Sequence, residues 1–426
     1  MQNGAKKHSG LVRFFKLLGP GLITGASDDD PSGIATYSQA GAQFGMSTLW
    51  TALVTFPLMA AIQEMCARIG LTTSQGLTST LKLHYPRWVL YTMVLFSFPA
   101  IIMNIGADIE GMGAVANLIV PDVSAAWFSI GFTILLLVCI VYFPYRKIAS
   151  ILKYLSFVLF VYIFVPFFTS TNWVDALKAT IMPGIEFSKD YLAILVGILG
   201  TTISPYLFFW QTTMEVEELE HKQKNGSKML VVSNRMYSAM RKDINIGMLF
   251  SNVIMFFIIV TTGSVLAMGG IHKIETVEQA AQALRPLAGD AAYYLFAFGI
   301  IGTGLLAIPV LSGALSYIIS EAFGWQKGLD KKFHQARGFY LIIAISLVAG
   351  LLMNYVGFGA IRALIYSAIL YGLTAPVLIA IIMHICNNKT IMGDRVNGFW
   401  QNVLGITTFV LMSAAGIALL YFQING

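Results

Sequence analysis

Asp28-Asp29-Asp30-Pro31-Ser32-Gly33 interrupts the first long apolar stretch of the chain. Carboxylates at membrane depth are costly to keep, and where they occur they mark ion or substrate pathways. The proline and glycine that follow break the helix, and irregular backbone at that depth is tolerated only where it is enclosed by protein or lines a cavity. A second interruption, Thr201-Thr202-Ile203-Ser204-Pro205-Tyr206, falls in the sixth apolar stretch. Breaks in corresponding segments of two halves point to the central site of a membrane transporter. The offset of five segments implies a five-plus-five inverted repeat, read from segment order alone.

The rest of the chain agrees with a membrane setting. With 57% hydrophobic and 11% charged residues over 426 positions, it is too apolar for a water-soluble globule. Eleven candidate spans lie at roughly 14–40, 48–70, 88–120, 125–143, 148–170, 190–213, 245–268, 289–321, 337–356, 360–386 and 397–422, each near or above the ~20 residues a crossing needs. A single polytopic domain over 1–426 is expected. Its first repeat spans about 14–170, its second about 190–386, and an extra helix about 397–422.

The net charge of +6 needs no nucleic-acid partner to explain it. If the N-terminus is cytoplasmic and eleven spans alternate, 22 of the 27 lysines and arginines fall on the inner side. The five outside are Lys178, Lys189, Lys273, Arg285 and Arg362. The positive-inside rule therefore predicts a multi-pass cell-membrane protein with a cytoplasmic N-terminus and the lipid bilayer as its surroundings. Before Leu11 the chain is polar, and it runs into the first span without a cleavage-like site, so no removable signal peptide is expected. Cys66, Cys139 and Cys386 sit in three separate apolar stretches with no metal or redox spacing.

Glu215 to Asp243 begins acidic, turns basic, and reads as a solvated inner connector with short helices. Val277 to Leu284, in an outer connector, has helix-forming character. Trp50, Trp88, Trp127, Trp173, Trp325 and Trp400 near span ends fit interfacial anchoring. Trp210 follows the second break at greater depth, where it either lines a pathway or packs between helices.

A broken helix exposes carbonyls on one side of the break and N–H groups on the other. Together with the aspartates, Ser204 and Thr201 or Thr202, every candidate ligand within the two breaks is an oxygen. Oxygen-only sites suit Mg²⁺, Ca²⁺ or Mn²⁺. A proline alone is commonly only a kink, so Pro205 by itself decides nothing. Further polar candidates are Glu64 and the pair Asp108 and Glu110 in the third span. Positions two apart do not share a helix face, so Asp108 and Glu110 read as separate features. Glu110, in Glu-Gly-Met-Gly, has a packing and a pathway reading of equal weight.

At these residues the chain resembles the Nramp family of divalent-metal transporters, over all eleven spans. Asp30-Pro31-Ser32-Gly33 stands where that family has Asp-Pro-Gly-Asn, and the run Ile34 to Gly45 is similar to the family's continuation. Ser204-Pro205-Tyr206 stands where it has Met-Pro-His. The resemblance implies a leucine-transporter-like, all-α fold with helices 1 and 6 broken. It implies that Asp30 is the main metal ligand and that the Thr201 carbonyl helps coordinate. Gly33 replaces a ligand Asn, Ser204 a selectivity Met, and Tyr206 a His associated with proton movement. Gln211 stands at a second family His, and Ala368 near a family Gln. Glu110 matches the family's conserved acid in the third helix, whose aspartate partner falls at Ala107, with Asp108 displaced by one.

This pattern of replacements is most similar to the Nramp-related magnesium transporters. Losing a thioether weakens preference for soft metals, and a wider site suits an ion that keeps its waters. Losing both histidines removes the groups most apt to titrate near neutral pH. The expected activity is uptake of Mg²⁺, and of Mn²⁺, by alternating access without proton coupling. Asp30, Asp29, Gly33, Thr201 and Ser204 would form the metal site, with Asp28, Glu110, Tyr206, Gln211 and Ala368 along the pathway or behind the ligands. The ion is substrate rather than cofactor, no enzymatic activity is expected, and the expected functional unit is a monomer.

The sequence leaves three alternatives. One is a proton-coupled Mn²⁺/Fe²⁺ transporter of the main Nramp type. Another is a sodium-coupled carrier of organic solutes, disfavoured because clustered acids repel a substrate carboxylate. The last is an intramembrane aspartyl protease, which needs two facing aspartates, whereas the second break holds no acid.

Overall fold

The computed structural model describes residues 20–143, 159–225, 232–357 and 359–425. The regular elements among them are helices. Their order is α1 (Pro20–Asp28), α2 (Pro31–Phe44), α3 (Trp50–Thr73), α4 (Leu77–His84), α5 (Arg87–Ile119), α6 (Ala125–Tyr142) and α7 (Trp173–Ile181). There follow α8 (Lys189–Thr202), α9 (Pro205–Asn225), α10 (Asn234–Thr262), α11 (Ala292–Phe323), α12 (Arg337–Met353), α13 (Ala360–Asn387) and α14 (Phe399–Asn425). Short helical turns fill several of the connections.

Both expected breaks are present. The first helix is split into α1 and α2 at Asp29-Asp30, and the sixth into α8 and α9 at Ile203-Ser204. Asp30 is the N-cap of α2 in extended conformation, its side chain accepting from the Gly33 N–H, with Pro31 in the first turn. Proline fits there because that turn's N–H groups have no intrahelical partner. At the second break Ile203 closes α8 through its N–H to Leu199, and Pro205 opens α9.

Among the described residues eight helical stretches are long and apolar enough to cross a membrane, and Arg337–Met353 is a shorter apolar helix. Of the predicted fifth span, 148–170, residues 148–158 lie outside the described residues, and Val161–Phe164 forms a helical turn. The two half-helix pairs pack against one another and against α3, α5, α10, α11 and α13, and α8 also packs against α14. At the periphery α6 and α14 carry exposed Trp127, Ile134, Trp400, Ile406, Ile417 and Leu420. Apolar side chains exposed to this extent suit a lipid face.

Close backbone approach sets the inner packing. A Cβ on Gly25 would stand 2.2 Å from the Gly247 carbonyl oxygen, so only glycine lets α1 lie against α10. In the same way a Cβ on Gly200 would meet the Ala368 carbonyl at 2.1 Å, which locks α8 to α13. Small residues at such crossings let backbones touch.

The expected solvated connector is different in the structure. α9 continues through the acidic run to Asn225, and α10 begins at Asn234. Glu215 is buried and accepts from Gln211 at 2.9 Å, four residues back on the same face. Glu217 accepts from the Tyr317 hydroxyl on α11 at 2.5 Å. The acids are thus drawn inward by neutral donors, a pairing that charge pattern alone does not reveal. In the outer connector Val277–Ala281 is helical, capped by Thr276 with Gln279 in a reciprocal capping box.

Candidate functional site

Asp28, Asp29 and Asp30 are all buried, and they face two ways. The Ser251 hydroxyl on α10 lies 2.7 Å from Asp28 Oδ2 and 3.1 Å from Asp29 Oδ1. One hydroxyl has one proton, so it cannot donate fully to both carboxylates. The other oxygens, Asp28 Oδ1 and Asp29 Oδ2, make no hydrogen bond. Asp30 turns towards α5 instead. Its Oδ1 accepts from the Ser32 hydroxyl at 2.6 Å and the Gly33 N–H at 2.8 Å, and its Oδ2 accepts from the Asn104 amide at 2.8 Å. Neutral donors of this kind favour a charged carboxylate without neutralising it.

The second break stands directly beside the first. Thr201 Oγ1 lies 3.5 Å from the Ser32 hydroxyl, and the Thr202 hydroxyl lies 3.0 Å from that of Tyr37. The Tyr206 hydroxyl donates to the Ser27 carbonyl at 2.8 Å, so a residue of the sixth helix satisfies a carbonyl that the first helix leaves free. Ser204 donates to the Thr201 carbonyl at 2.5 Å and approaches that of Gly200 at 3.1 Å. Its hydroxyl is therefore turned onto α8, and one lone pair of the Thr201 carbonyl is already in use. A Cβ on Gly33 would meet Thr201 Oγ1 at 3.1 Å and Tyr37 at 3.4 Å. Threonine and tyrosine thus fill much of the room that glycine leaves.

The remaining sequence candidates divide. Gln211 accepts from the Thr24 hydroxyl of α1 at 2.5 Å and donates to Glu215. Ala368 is buried against the Gly200 turn of α8. Glu110 is half-buried and lies off the face of α5 that carries Asn104. Asp108, one turn beyond Asn104, shares that face. It is wholly buried, neither of its oxygens has a hydrogen bond of ordinary geometry, and the Asp30 charge and Ser32 amide lie within reach. Glu64 is paired with Arg241 at 2.8 Å. Trp210 packs between helices, its ring 3.0 Å from where a Gly313 Cβ would stand.

Sequence reasoning passed over Asn104, Ser367, Ser251, Tyr371 and Met255. The Ser367 hydroxyl on α13 donates to the Asn104 carbonyl at 2.8 Å and so turns the amide N–H towards Asp30. The Met255 thioether touches the Thr202 hydroxyl at 3.7 Å. The available signal was a lone polar residue in an apolar run, as in Ile101-Ile102-Met103-Asn104-Ile105.

On the side of the chain's N-terminus the site is shut. The Gly21 N–H donates to Asp243 on α10 at 2.7 Å, Thr24 holds Gln211, and Gly25 rests on Gly247. On the opposite side a cavity of about 430 Å³ is lined by Gln39, Gln43, Asp190, Lys273, Arg362 and Tyr366, among others. Gln39 ties this rim together, accepting from the Ile274 N–H at 2.9 Å. The buried oxygen site thus has one closed side and, opposite it, a vestibule at the surface of the protein.

Residues 21–422 match the family model described as natural resistance-associated macrophage protein-like. The chain belongs to the Nramp family. Among the relatives of this Nramp protein is the divalent metal cation transporter MntH of Caldanaerobacter subterraneus, 24% identical over 420 residues, which cover 98% of this chain and 95% of the relative. The MntH of Klebsiella pneumoniae is 24% identical over 412 residues, covering 95% and 93%. Among solved structures, a manganese transporter of Eremococcus coleocola superposes with a TM-score of 0.75 at 18% identity, covering 99% of this chain and 89% of that one. MHP1, a nucleobase-cation-symport-1 family transporter, superposes with a TM-score of 0.58 at 12% identity, covering 96% and 91%. These likenesses establish for the Nramp chain the leucine-transporter-like fold, with its two inverted repeats and broken first and sixth helices. It is a multi-pass membrane transporter and not an enzyme.

Proposed function

We propose that this Nramp protein carries divalent metal ions inward across the cell membrane by alternating access, with Mg²⁺ as the principal substrate and Mn²⁺ as a second. Its N-terminus is cytoplasmic in this reading, and one chain suffices for transport. The observation that carries the proposal is the environment of Asp30. This buried carboxylate is held by a hydroxyl, a side-chain amide and a peptide N–H, beside a second helix break that contributes only hydroxyls and carbonyls. Hard oxygen donors with one or two carboxylates suit an ion that is reluctant to dehydrate. Asp30 is the direct ligand and Asp29, turned towards Ser251, stands behind it. Thr201 supplies its carbonyl, Gly33 and Ser204 shape the wall, and Asp28 supports the pair from behind. The relatives' names, divalent metal cation transporter and manganese transporter, support the coarse substrate class.

With Tyr206 and Gln211 engaged in neutral hydrogen bonds to the first helix, transport runs down the ion gradient without a proton. The second reading, a transporter of Mn²⁺ and Fe²⁺ coupled to protons, draws on the Met255 thioether behind Thr202, since thioethers favour softer ions. Uptake into proteoliposomes with Mg²⁺, Mn²⁺, Fe²⁺ and Ca²⁺, with a lumenal pH dye, separates the two. We expect Mg²⁺ and Mn²⁺ entry with no stoichiometric acidification. Acidification with each metal pulse, or exclusion of Mg²⁺, would favour the second reading.

A further inference from the structure

Asp30 at the start of α2 and Asp108 on α5 are both buried and lie within electrostatic reach of one another. Asp28 and Asp29 turn away towards Ser251 on α10, so on the side to which Asp30 points, Asp108 is the second carboxylate among the described residues. Both Asp108 oxygens are buried without a hydrogen bond of ordinary geometry, the Ser32 amide being within reach, and the buried hydroxyl of Tyr371 on α13, whose ring sits 5.7 Å from that of Tyr206, has no partner. Tyr371 lies within electrostatic reach of Asp30 and Asp108 alike. A buried polar group without a partner is costly, and a carboxylate more so, unless a cation or water supplies the missing contact. The underused oxygens of Asp108 and the unpartnered Tyr371 hydroxyl, within electrostatic reach of Asp30, therefore mark a place where an ion's water shell would be held.

We propose that Asp108 and the Tyr371 hydroxyl form the second wall of the ion site, gripping the waters of a partly hydrated divalent cation whose direct carboxylate is Asp30. The inference rests on the metal-transport reading above and adds where the ion's uncoordinated side lies. Asp28 and Asp29 add negative charge from behind but are held towards Ser251, so on the α5 side of the ion Asp108 is the carboxylate placed to balance its charge in a medium of low dielectric. Contact through water suits Mg²⁺, which keeps several waters when bound by one or two carboxylates. Asn104, one turn from Asp108 on the same face of α5, keeps Asp30 at a fixed distance from that wall.

The test is uptake by the full-length protein in proteoliposomes. Asp108→Asn keeps the shape and removes the charge. We expect its KM for Mg²⁺ to rise about tenfold or more, as loss of one buried charge partner implies, while Vmax falls much less. Tyr371→Phe removes a hydroxyl that has no hydrogen bond to lose, so folding is preserved. It should raise KM for Mg²⁺ more than for Mn²⁺, because Mg²⁺ holds its waters harder. Unchanged KM in Asp108→Asn, with transport abolished in Asp30→Asn, would overturn this wall and leave the metal-transport reading standing. Failure of the unsubstituted protein to carry any divalent ion would instead sink that reading. If Asp108→Asn does not fold, Tyr371→Phe decides, and an unchanged Mg²⁺ KM there overturns the proposal.

Discussion

Asn104 on α5 donates its amide to Asp30 Oδ2 at 2.8 Å, and that amide is itself oriented by the Ser367 hydroxyl of α13 at 2.8 Å. Three helices distant in sequence thereby fix the direction of one carboxylate. A hydrogen bond to a charged group contributes about 1.5–3 kcal/mol. Asn104→Ala should therefore weaken apparent affinity for Mg²⁺ roughly ten- to a hundredfold. Ser367→Ala, which leaves the amide in place but unoriented, should have a smaller effect in the same direction. Uptake KM values measured beside thermal melting of the purified variants check this. Equal KM in Asn104→Ala and the parent would show that Asp30 needs no such support.

Asp30→Ala should abolish Mg²⁺ and Mn²⁺ uptake while the protein remains folded. The N-cap contact to Gly33 is lost with it, which costs about 1 kcal/mol, small beside the packing of the surrounding helices. Size-exclusion profile and melting temperature establish folding. Uptake near the parent rate by a folded variant would remove Asp30 from the site.

The closed face predicts its own weak point. Gly25→Ala places a methyl against the Gly247 carbonyl at 2.2 Å, a separation real Cβ atoms do not tolerate. The half-helix α1 must then lift from α10, loosening the Thr24 bond to Gln211. A cysteine introduced as Gln211→Cys, which removes the Thr24 bond in both backgrounds, should label faster from the N-terminal side when Gly25→Ala lifts α1 off α10. Equal labelling rates would show that this face is closed by other contacts.

Selectivity should respond to the two breaks together. Ser204→Met removes the hydroxyl that now occupies the Thr201 carbonyl and brings a thioether to that position. Gly33→Asn adds an amide that Thr201 Oγ1, 3.1 Å from the new Cβ, must shift to admit. In the double variant Mn²⁺ and Cd²⁺ should compete more strongly and Mg²⁺ uptake should fall, with Ser204→Met alone moving partway. Competition assays read the ratio directly. An unchanged Mg²⁺/Cd²⁺ ratio in a transport-competent double variant would place selectivity elsewhere, with Met255 next to examine.

Sequence by itself determined the class of the molecule and the location of its breaks. Carboxylates and prolines inside apolar runs have few physical solutions in a bilayer, so Asp30-Pro31 and Ser204-Pro205 could be read as helix interruptions without coordinates. What the pattern could not give was direction. Asp28, Asp29 and Asp30 are chemically alike in sequence, yet two face Ser251 on α10 and one faces Asn104 on α5. The spacing of Asp108 and Glu110 shows that they lie on different faces. Only the placement of α5 against α2 decides that Asp108 is the one sealed inside. The acidic run after Pro205 looks solvated by composition, but Gln211 and Tyr317 draw Glu215 and Glu217 inward. Hydrogen bonds between residues 74 to 263 positions apart, from Asn104 to Asp30 and from Ser367 to Asn104, leave no trace in local periodicity. They arise where helix packing brings a donor and an acceptor to the same depth, and that is a property of the tertiary structure alone.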